Sequence, residues 1–231
     1  MPQPAPTSSS RRVPLSRERV LLAAVAVADA QGYDALTIRS LATHLGVQPM
    51  ALYYHVANKA AILDGILDLV FAEIEIPSRE GEWRTEMAHR AQSARSALGR
   101  HPWAIVLLQS GTAPGPATLR HHDAVIGTLR GAGFSVAETA HAFALLDSYI
   151  YGFALSEAAL PINGPRTVAE VAAAMVAKNP LDDYPHLAEF SMEHIMQPGY
   201  DFGSEFEFGL ELILDGLART IGEAGSSLSR R

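Results

Sequence analysis

The chain of 231 residues contains no cysteine. This absence excludes disulfide frameworks, thiolate zinc sites and cysteine nucleophiles, and it is typical of a reducing compartment. No apolar run reaches the roughly 18 residues of a membrane span, because Asp147 interrupts the best candidate at 142–155. The N-terminal segment MPQPAPTSSSRR lacks the apolar core of a signal peptide. We therefore expect a cytoplasmic protein with no membrane partner.

Motifs of catalysis and metal binding are also missing. The chain has no HExxH, no P-loop, no GxSxG and no dinucleotide-binding glycine fingerprint. Nine histidines are present, but His121 and His122 are adjacent and cannot share a helix face, and His186 and His194 are eight residues apart with no carboxylate pattern between them. We predict no metal, no cofactor and no catalytic residue.

The chain is short of positive charge, with 18 Lys+Arg against 25 Asp+Glu and a net charge of −7. An acidic total argues against nucleic-acid binding, but the charge is unevenly distributed. Residues 1–60 hold six basic and three acidic residues, a net +3, whereas residues 61–231 hold 12 basic and 22 acidic residues, a net −10. This asymmetry favours a basic module joined to an acidic body, with a chance distribution as the alternative.

Helical signals dominate what is present, and no segment alternates with a period of two for long, so we predict an all-α fold. Residues 1–14 are rich in Pro and Ser and predict a disordered arm. Ser16 and Thr37 are N-cap candidates, each followed at helical distance by a glycine stop, Gly32 and Gly46. We predict a three-helix domain at 15–60 and a larger helical domain at 61–231.

Residues 36–56 have the spacing of a helix-turn-helix. Ala42 is small enough for a second helix to cross closely, Gly46 accepts the positive φ of the turn, and Leu52 seats the second helix on the first. The second helix, predicted at about 48–54, is too short to bury all three of the consecutive residues Tyr53, Tyr54 and His55. Its side chains would therefore contact bases and phosphates, although Tyr54 could equally cover a neighbouring helix.

The stretch LTIRSLATHLGVQPMALYYHVANKAAILD resembles the DNA-binding domain of the tetracycline-repressor (TetR) family, with its LGV, LY, HV, NK and LD elements at that family's spacing. The resemblance covers residues 15–76. It implies a helix-turn-helix, a double-stranded DNA operator as partner, and a helical body that binds a ligand and dimerises. Pro49, Met50 and Ala51 differ from the type member, so the operator should differ too.

The resemblance also implies roles by position. Thr37 would contact a phosphate and Arg39 would read a guanine, which suits its bidentate fork. Pro49 and Met50 have no hydrogen-bond donor on their side chains and would contact thymine methyl groups. The full set of implied DNA contacts is Thr37, Arg39, Gln48, Pro49, Met50, Tyr53, Tyr54, His55 and Lys59.

The segment EFEFGLELILDGLART resembles the final helix of a Tet-repressor-type C-terminal domain. An apolar stripe at i, i+4, i+7 and i+11 runs along it. The resemblance favours a homodimeric four-helix bundle over an ordinary core helix. We therefore predict a dimer face at Phe206, Leu210, Ile213 and Leu217.

An effector cavity is predicted among the central helices, because such sites are apolar with a few placed polar groups. Asp147 would lie on an apolar helix and would need a partner, either a ligand amine or hydroxyl, or else a group across the dimer or a tyrosine, with Tyr149 and Tyr151 excluded by their direction. Gln109 stands where tetracycline repressors have a magnesium-ligating histidine, so we expect no binding of a magnesium–tetracycline chelate. The predicted lining is Trp103, Leu108, Gln109, Thr112, Phe143 and Asp147.

These features predict a homodimeric transcriptional regulator, and a repressor in preference to an activator. A small-molecule effector would release it from a palindromic operator by shifting a conformational equilibrium. One alternative is a constitutive DNA-binding activator or architectural protein without an effector. Another is an all-α enzyme with a vestigial DNA-binding head, which would need a convergent acid–base pair in the cavity.

Overall fold

The computed structural model describes residues 14–110, 113–160 and 167–228. All regular structure in these ranges is helical, which confirms the all-α prediction. The predicted arm at 1–14 lies outside these ranges except for Pro14. The helices are α1 Arg17–Gln31, α2 Ile38–Leu45, α3 Pro49–Leu52, α4 Lys59–Ala72, α5 Trp83–Arg100, α6 Trp103–Gln109, α7 Pro116–Gly131, α8 Val136–Ala158, α9 Val168–Lys178, α10 Pro185–Phe190 and α11 Phe202–Leu228, with a 3-10 turn at Tyr33–Ala35 and a π-helical turn at Ser191–Ile195.

The chain divides into two compact units, residues 1–66 and 67–231. In the first unit α1 packs against α2, and α2 packs against α3. The Ser16 hydroxyl accepts a hydrogen bond from the Arg19 N–H at 3.2 Å and so begins α1. Buried apolar side chains from all three helices form the core of this unit: Val20, Ala24, Leu41, Ala42 and Leu52.

The turn between α2 and α3 has the predicted glycine conformation. Gly46 has φ 66° and ψ 36°, which is the left-handed region that favours glycine. The Val47 N–H donates to the Ala42 carbonyl at 3.0 Å, and the Gly46 N–H donates to the Thr43 carbonyl at 3.2 Å. These bonds satisfy the last carbonyls of α2, so the turn is fixed by local chemistry.

Helix α3 is shorter than the predicted span of 48–54, because it ends at Leu52. The N–H groups of His55 and Val56 both donate to the Leu52 carbonyl, at 2.9 and 3.0 Å. This turn brings Val56 back into the core, where it is buried. Tyr53 and Tyr54 therefore lie in the turn after α3 rather than on the helix itself.

In the second unit, α8 is the central helix and packs against α5, α6, α7 and α11. Its start is fixed by a capping box in which Ser135 and Glu138 bond each other's backbone N–H groups. Buried residues recur every four positions along α8, so one face is committed to the core of this unit: Ala142, Leu146, Ile150 and Ala154.

The N-terminus of α7 is capped by a side chain from α4 rather than by its own N-cap residue. Asp68 accepts hydrogen bonds from the N–H of Thr118 at 2.8 Å, the N–H of Ala117 at 3.2 Å and the Thr118 hydroxyl at 3.0 Å. A carboxylate at this position also interacts favourably with the helix dipole. The contact joins α4 to the first turn of α7.

Replacing Asp68 with alanine should lower the free energy of unfolding by about 1–2 kcal/mol, because it leaves two backbone N–H groups of α7 without acceptors. Urea unfolding at fixed protein concentration measures this. Asp123→Ala is the matched control, since Asp123 forms an exposed pair with Arg79 and such pairs contribute about 0–1 kcal/mol. Equal losses in the two variants would contradict the capping role.

Three of the four residues predicted to form a dimer face on α11 are not available for one. Phe206, Leu210 and Leu217 are buried within the protomer's own core, and Ile213 is half-buried. The Phe206 ring stacks on Tyr149 of α8, with ring centroids 5.4 Å apart. The apolar stripe packs against α8 of the same chain, because the most apolar face of a helix covers the nearest core. Among the α11 side chains that the structure describes, the large exposed apolar ones are Phe208 and Leu212.

Within the part of the chain that the structure describes, no helix is long and apolar enough to span a membrane.

Candidate nucleic-acid interface and buried polar cluster

Thr37 is the N-cap of α2 and its polar groups already have local partners. Its hydroxyl accepts from the Ser40 N–H at 3.0 Å, and its own N–H donates to the Ser40 hydroxyl at 2.9 Å. A phosphate would therefore share or replace the Ser40 hydroxyl at this N–H. The N-terminus of a helix is a common place for a phosphate to bind.

Arg39 lies in the first turn of α2 and is exposed. It lines a groove of about 520 Å³ on the first unit together with residues from α1 and α2: Val27, Gln31, Thr37, Ser40, Thr43 and His44. The groove holds hydroxyls, a guanidinium and an imidazole, which are groups that contact phosphates and base edges.

The N-terminal part of α3 is fully presented to solvent. Gln48 is its exposed N-cap residue and makes no side-chain cap bond, Pro49 is the first helical residue, and Met50 is 70% exposed. In the following turn Tyr54 is 88% exposed and Tyr53 is also exposed. Large apolar and aromatic side chains therefore lie exposed on this surface of the first unit.

The structure also locates the remaining two predicted DNA contacts. His55 is half-buried in the turn after α3, and Lys59 is exposed at the start of α4. Asn58 caps α4 by accepting the Ala61 N–H at 2.8 Å. All nine predicted contacts belong to the first unit, and eight of them are exposed.

The second unit contains a buried polar cluster centred on Arg90 of α5, whose side chain is only 1% exposed. Arg90 Nη2 donates to Asp147 Oδ1 of α8 at 2.5 Å. The hydroxyl of Tyr151, one turn along α8, donates to Asp147 Oδ2 at 3.2 Å. Asp147 therefore has protein partners on both oxygens, so the ligand alternative is not needed to satisfy it. The exclusion of Tyr151 by direction was wrong, because a tyrosine four residues along a helix lies on the same face as the aspartate.

His121 of α7 is the second buried member of this cluster. Its Nε2 accepts a hydrogen bond from Arg90 Nε at 3.3 Å. Burial, and then the Arg90 charge, lower the pKa of His121 to about 3, so the ring is neutral. Because Nε2 accepts a bond, the single ring proton must be on Nδ1.

Two atoms of the cluster are buried without a hydrogen-bond partner, Arg90 Nη1 and His121 Nδ1. Both are donors, since a guanidinium nitrogen has no acceptor lone pair and the His121 proton is on Nδ1. Buried donors without acceptors are rare in folded proteins and cost about 1–3 kcal/mol each. The cluster is therefore incomplete as it stands.

Aromatic rings connect the cluster to α4 and to a surface groove. The Phe71 ring of α4 lies edge-on to both His121 and His122, with centroids 5.6 Å apart in each pair. On its other side His122 contacts Phe143 of α8 at 5.2 Å. Phe143 lines an apolar groove of about 420 Å³ with Ile126, Arg130, Val136, Thr139 and Ala140.

Of the six predicted effector residues, the structure brings Phe143 and Asp147 to this cluster. Trp103 is buried at the start of α6 beside the His101 ring, and Leu108 is half-buried. Thr112 and the side chain of Gln109 lie outside the described residues. A cavity formed by all six stays a prediction.

The predicted effector site did not include Arg90, His121 or Tyr151. A signal for Arg90 was available, because it falls on the buried stripe of α5 with Met87, Ala91 and Ala94. A charged residue in such a stripe needs a buried partner. Among the residues described, no group of three or more His, Asp or Glu side chains could hold a metal ion.

Comparison with known proteins places both units in one family. Residues 20–66 match the profile of bacterial regulatory proteins of the tetR family, and residues 77–221 match the tetracyclin repressor-like C-terminal domain. The HTH-type transcriptional repressor DrrR1 of Streptomyces coeruleorubidus is 33% identical over 212 residues, which are 88% of this chain and 77% of that protein. The class A tetracycline repressor from transposon 1721 of Escherichia coli is 32% identical, covering 89% and 91%.

Similarity to solved structures indicates the same family. A TetR-type regulator of Streptomyces coelicolor A3(2) is 31% identical with a TM-score of 0.73, covering 89% of this chain and all of that one. ActR of Streptomyces coelicolor, in complex with actinorhodin, has a TM-score of 0.75 at 26% identity, covering 91% and 100%. The chain belongs to the TetR family and is a DNA-binding transcriptional regulator with a Tet-repressor-like C-terminal domain.

Proposed function

We propose that this protein is a cytoplasmic, homodimeric repressor that a small-molecule effector releases from a pseudo-palindromic operator. The main support for DNA binding is the capped helix-turn-helix, which exposes Arg39, Met50 and Tyr54 to solvent in one compact unit. The repressor relatives and the ligand complex of ActR support this reading. We propose no enzymatic activity, because the buried polar cluster is an ion pair with a neutral histidine rather than an acid–base pair open to substrate.

Helices α8 and α11 pack against each other within the protomer. We propose that a second copy of the chain covers the faces of these two helices that remain exposed. These faces combine large apolar side chains with small ones that allow close helix approach: Leu145, Gly152 and Leu155 on α8, and Phe208 and Leu212 on α11. A two-fold dimer would place two heads on half-sites about 34–36 Å apart, one helical turn of DNA.

Helix α4 is the proposed route from effector to DNA-binding unit. It is one continuous helix that begins at Lys59, among the predicted phosphate contacts, and ends at Ala72. Near its end, Phe71 contacts His121 and Asp68 caps α7. A ligand that moved α7 would therefore act on α4 through two direct contacts. Couplings of about 1–3 kcal/mol are typical of such systems.

Selection from a random duplex library tests the operator proposal, with the full-length dimer as bait. We expect enrichment of a pseudo-palindrome. The alternative, a constitutive activator or architectural protein, predicts DNA binding that no small molecule alters. Enrichment of no sequence at all would contradict the proposed function.

Arg39→Ala should weaken binding to the selected operator by about 5- to 150-fold for each half-site that loses the contact, and should relax the base preference at one position per half-site. Fluorescence anisotropy with the operator and its single-base variants measures both effects. A bidentate arginine–guanine contact is worth roughly 1–3 kcal/mol, which sets this range.

Arg17→Ala is the control for Arg39→Ala, since Arg17 is another exposed arginine of the first unit, at the start of α1. It removes the same charge, so any loss it causes should be uniform across DNA sequences. If Arg39→Ala weakens all duplexes equally, Arg39 contacts phosphate and the base-reading role is wrong.

A further inference from the structure

The buried cluster has two N–H donors without acceptors, and these indicate which functional group the effector must have. Arg90 Nη1 and His121 Nδ1 each need an acceptor, and neither can accept a bond in return. An ionised carboxylate has two acceptor oxygens and no donor. An amide or alcohol would bring its own donor into a site that has no spare acceptor for it.

We propose that Arg90 and His121 bind the carboxylate of an acidic effector. This inference rests on the proposed effector-responsive function and names the chemical class of ligand. Each donor is at least nine-tenths buried, with Arg90 1% and His121 0% exposed. Hydrogen bonds between a guanidinium and a carboxylate are charge-assisted and about twice as strong as neutral ones, so completing the cluster favours the acid.

Asp147 does not oppose this ligand as an unpaired charge would. Its oxygens already accept the Arg90 Nη2–H and the Tyr151 O–H, so Arg90 and Asp147 together are neutral and the ligand carboxylate would be the one net charge in the site. Arg90 uses Nε and Nη2 for His121 and Asp147, which leaves the Nη1 side of the same guanidinium for a further acceptor. The ion pair therefore orients Arg90 for a second anion.

The surroundings of the cluster favour an aromatic acid. The rings of Phe71, His122 and Phe143 follow one another from the cluster toward the apolar groove of α7 and α8. An aromatic body would stack or pack edge-on against such rings. Its carboxylate at His121 would also lie beside Phe71, and so act on α4 directly.

Isothermal titration of the full-length protein, without DNA, tests the inference with three matched probe sets. These are benzoate, 2-naphthoate and 9-anthracenecarboxylate, each compared with its own carboxamide and methyl ester. We expect at least one acid to bind ten-fold or more tightly than its carboxamide and its ester. If no acid binds more tightly than its carboxamide, the inference is wrong and buried water serves the two donors.

Variants show where the acid binds. Arg90→Met/Asp147→Asn removes the guanidinium together with the charge it neutralises, and should abolish the preference for acid over amide. His121→Phe keeps a ring but removes the donor and should reduce that preference at least five-fold. Arg79→Met is the control for loss of one positive charge, because Arg79 is exposed and paired with Asp123. Unchanged acid preference in both cluster variants would overturn the assignment.

Operator binding separates this inference from the proposed function. If the protein binds its selected operator and the acid lowers that affinity, both stand. If operator binding and release by some neutral compound are found but no acid is preferred, the repressor function stands and the carboxylate site fails. If the acid binds at Arg90 but no operator is selected, the ligand site stands and the proposed function fails.

Discussion

Arg90→Met is expected to lower the free energy of unfolding by about 3–5 kcal/mol, because it removes one partner of a buried ion pair and leaves Asp147 uncompensated. Asp147 would retain only the Tyr151 hydroxyl, and its side chain is 13% exposed. His121 would lose the donor to its Nε2 at the same time. Urea unfolding followed by tryptophan fluorescence, at one protein concentration, measures the change.

The double variant Arg90→Met/Asp147→Asn should be compared with the single variant Arg90→Met. It removes the stranded charge and keeps an acceptor for Tyr151, so it should recover more than half of the stability lost in Arg90→Met. Replacing both members of a buried pair is often close to neutral, whereas removing one is not. A single variant that loses less than about 1 kcal/mol would show that water reaches Asp147 and that the cluster is not sealed.

Phe208→Ala is expected to weaken dimerisation by about 4 kcal/mol, on the order of 1000-fold. Phe208 is 67% exposed on the protomer, and a large aromatic side chain at an interface centre is worth about 2 kcal/mol or more. A two-fold dimer contains two copies, so the loss counts twice. Sedimentation equilibrium measures the dissociation constant, and operator affinity should fall with it.

Leu119→Ala is the matched control for the dimer, since Leu119 is 56% exposed on α7 and lies outside the proposed face. It should leave the dimer intact. If Phe208→Ala leaves the dissociation constant unchanged while the fold is preserved, the second copy docks elsewhere and the α8–α11 face is wrong.

What the sequence predicted well was decided by short-range chemistry. Ser16 and Thr37 cap their helices as expected, because an N-cap needs only a side-chain oxygen at the right backbone position. Gly46 is similarly determined by the positive φ of its turn. Such features depend on three or four consecutive residues, so they can be predicted without knowledge of the tertiary structure.

What failed depended on contacts between distant segments. The apolar stripe of α11 was identified, but periodicity cannot say whether it covers the same protomer or a partner, and Phe206 packs on Tyr149 of its own chain. The partner of Asp147 was missed because Arg90 is 57 residues away. The early end of α3 is a smaller and local error, since the turn that returns Val56 to the core begins at Leu52.

The neutral state of His121 has a consequence for how the cell's acidity would affect this regulator. Burial and Arg90 hold the pKa of His121 at about 3, and burial beside Asp147 raises the pKa of Tyr151. The pattern of donors in the cluster is therefore constant between roughly pH 5 and 9, unlike that of an ordinary exposed histidine. Changes in pH within this range would leave the protein's side of the interaction unaltered, and the regulator would respond to the amount of its ligand rather than to proton concentration.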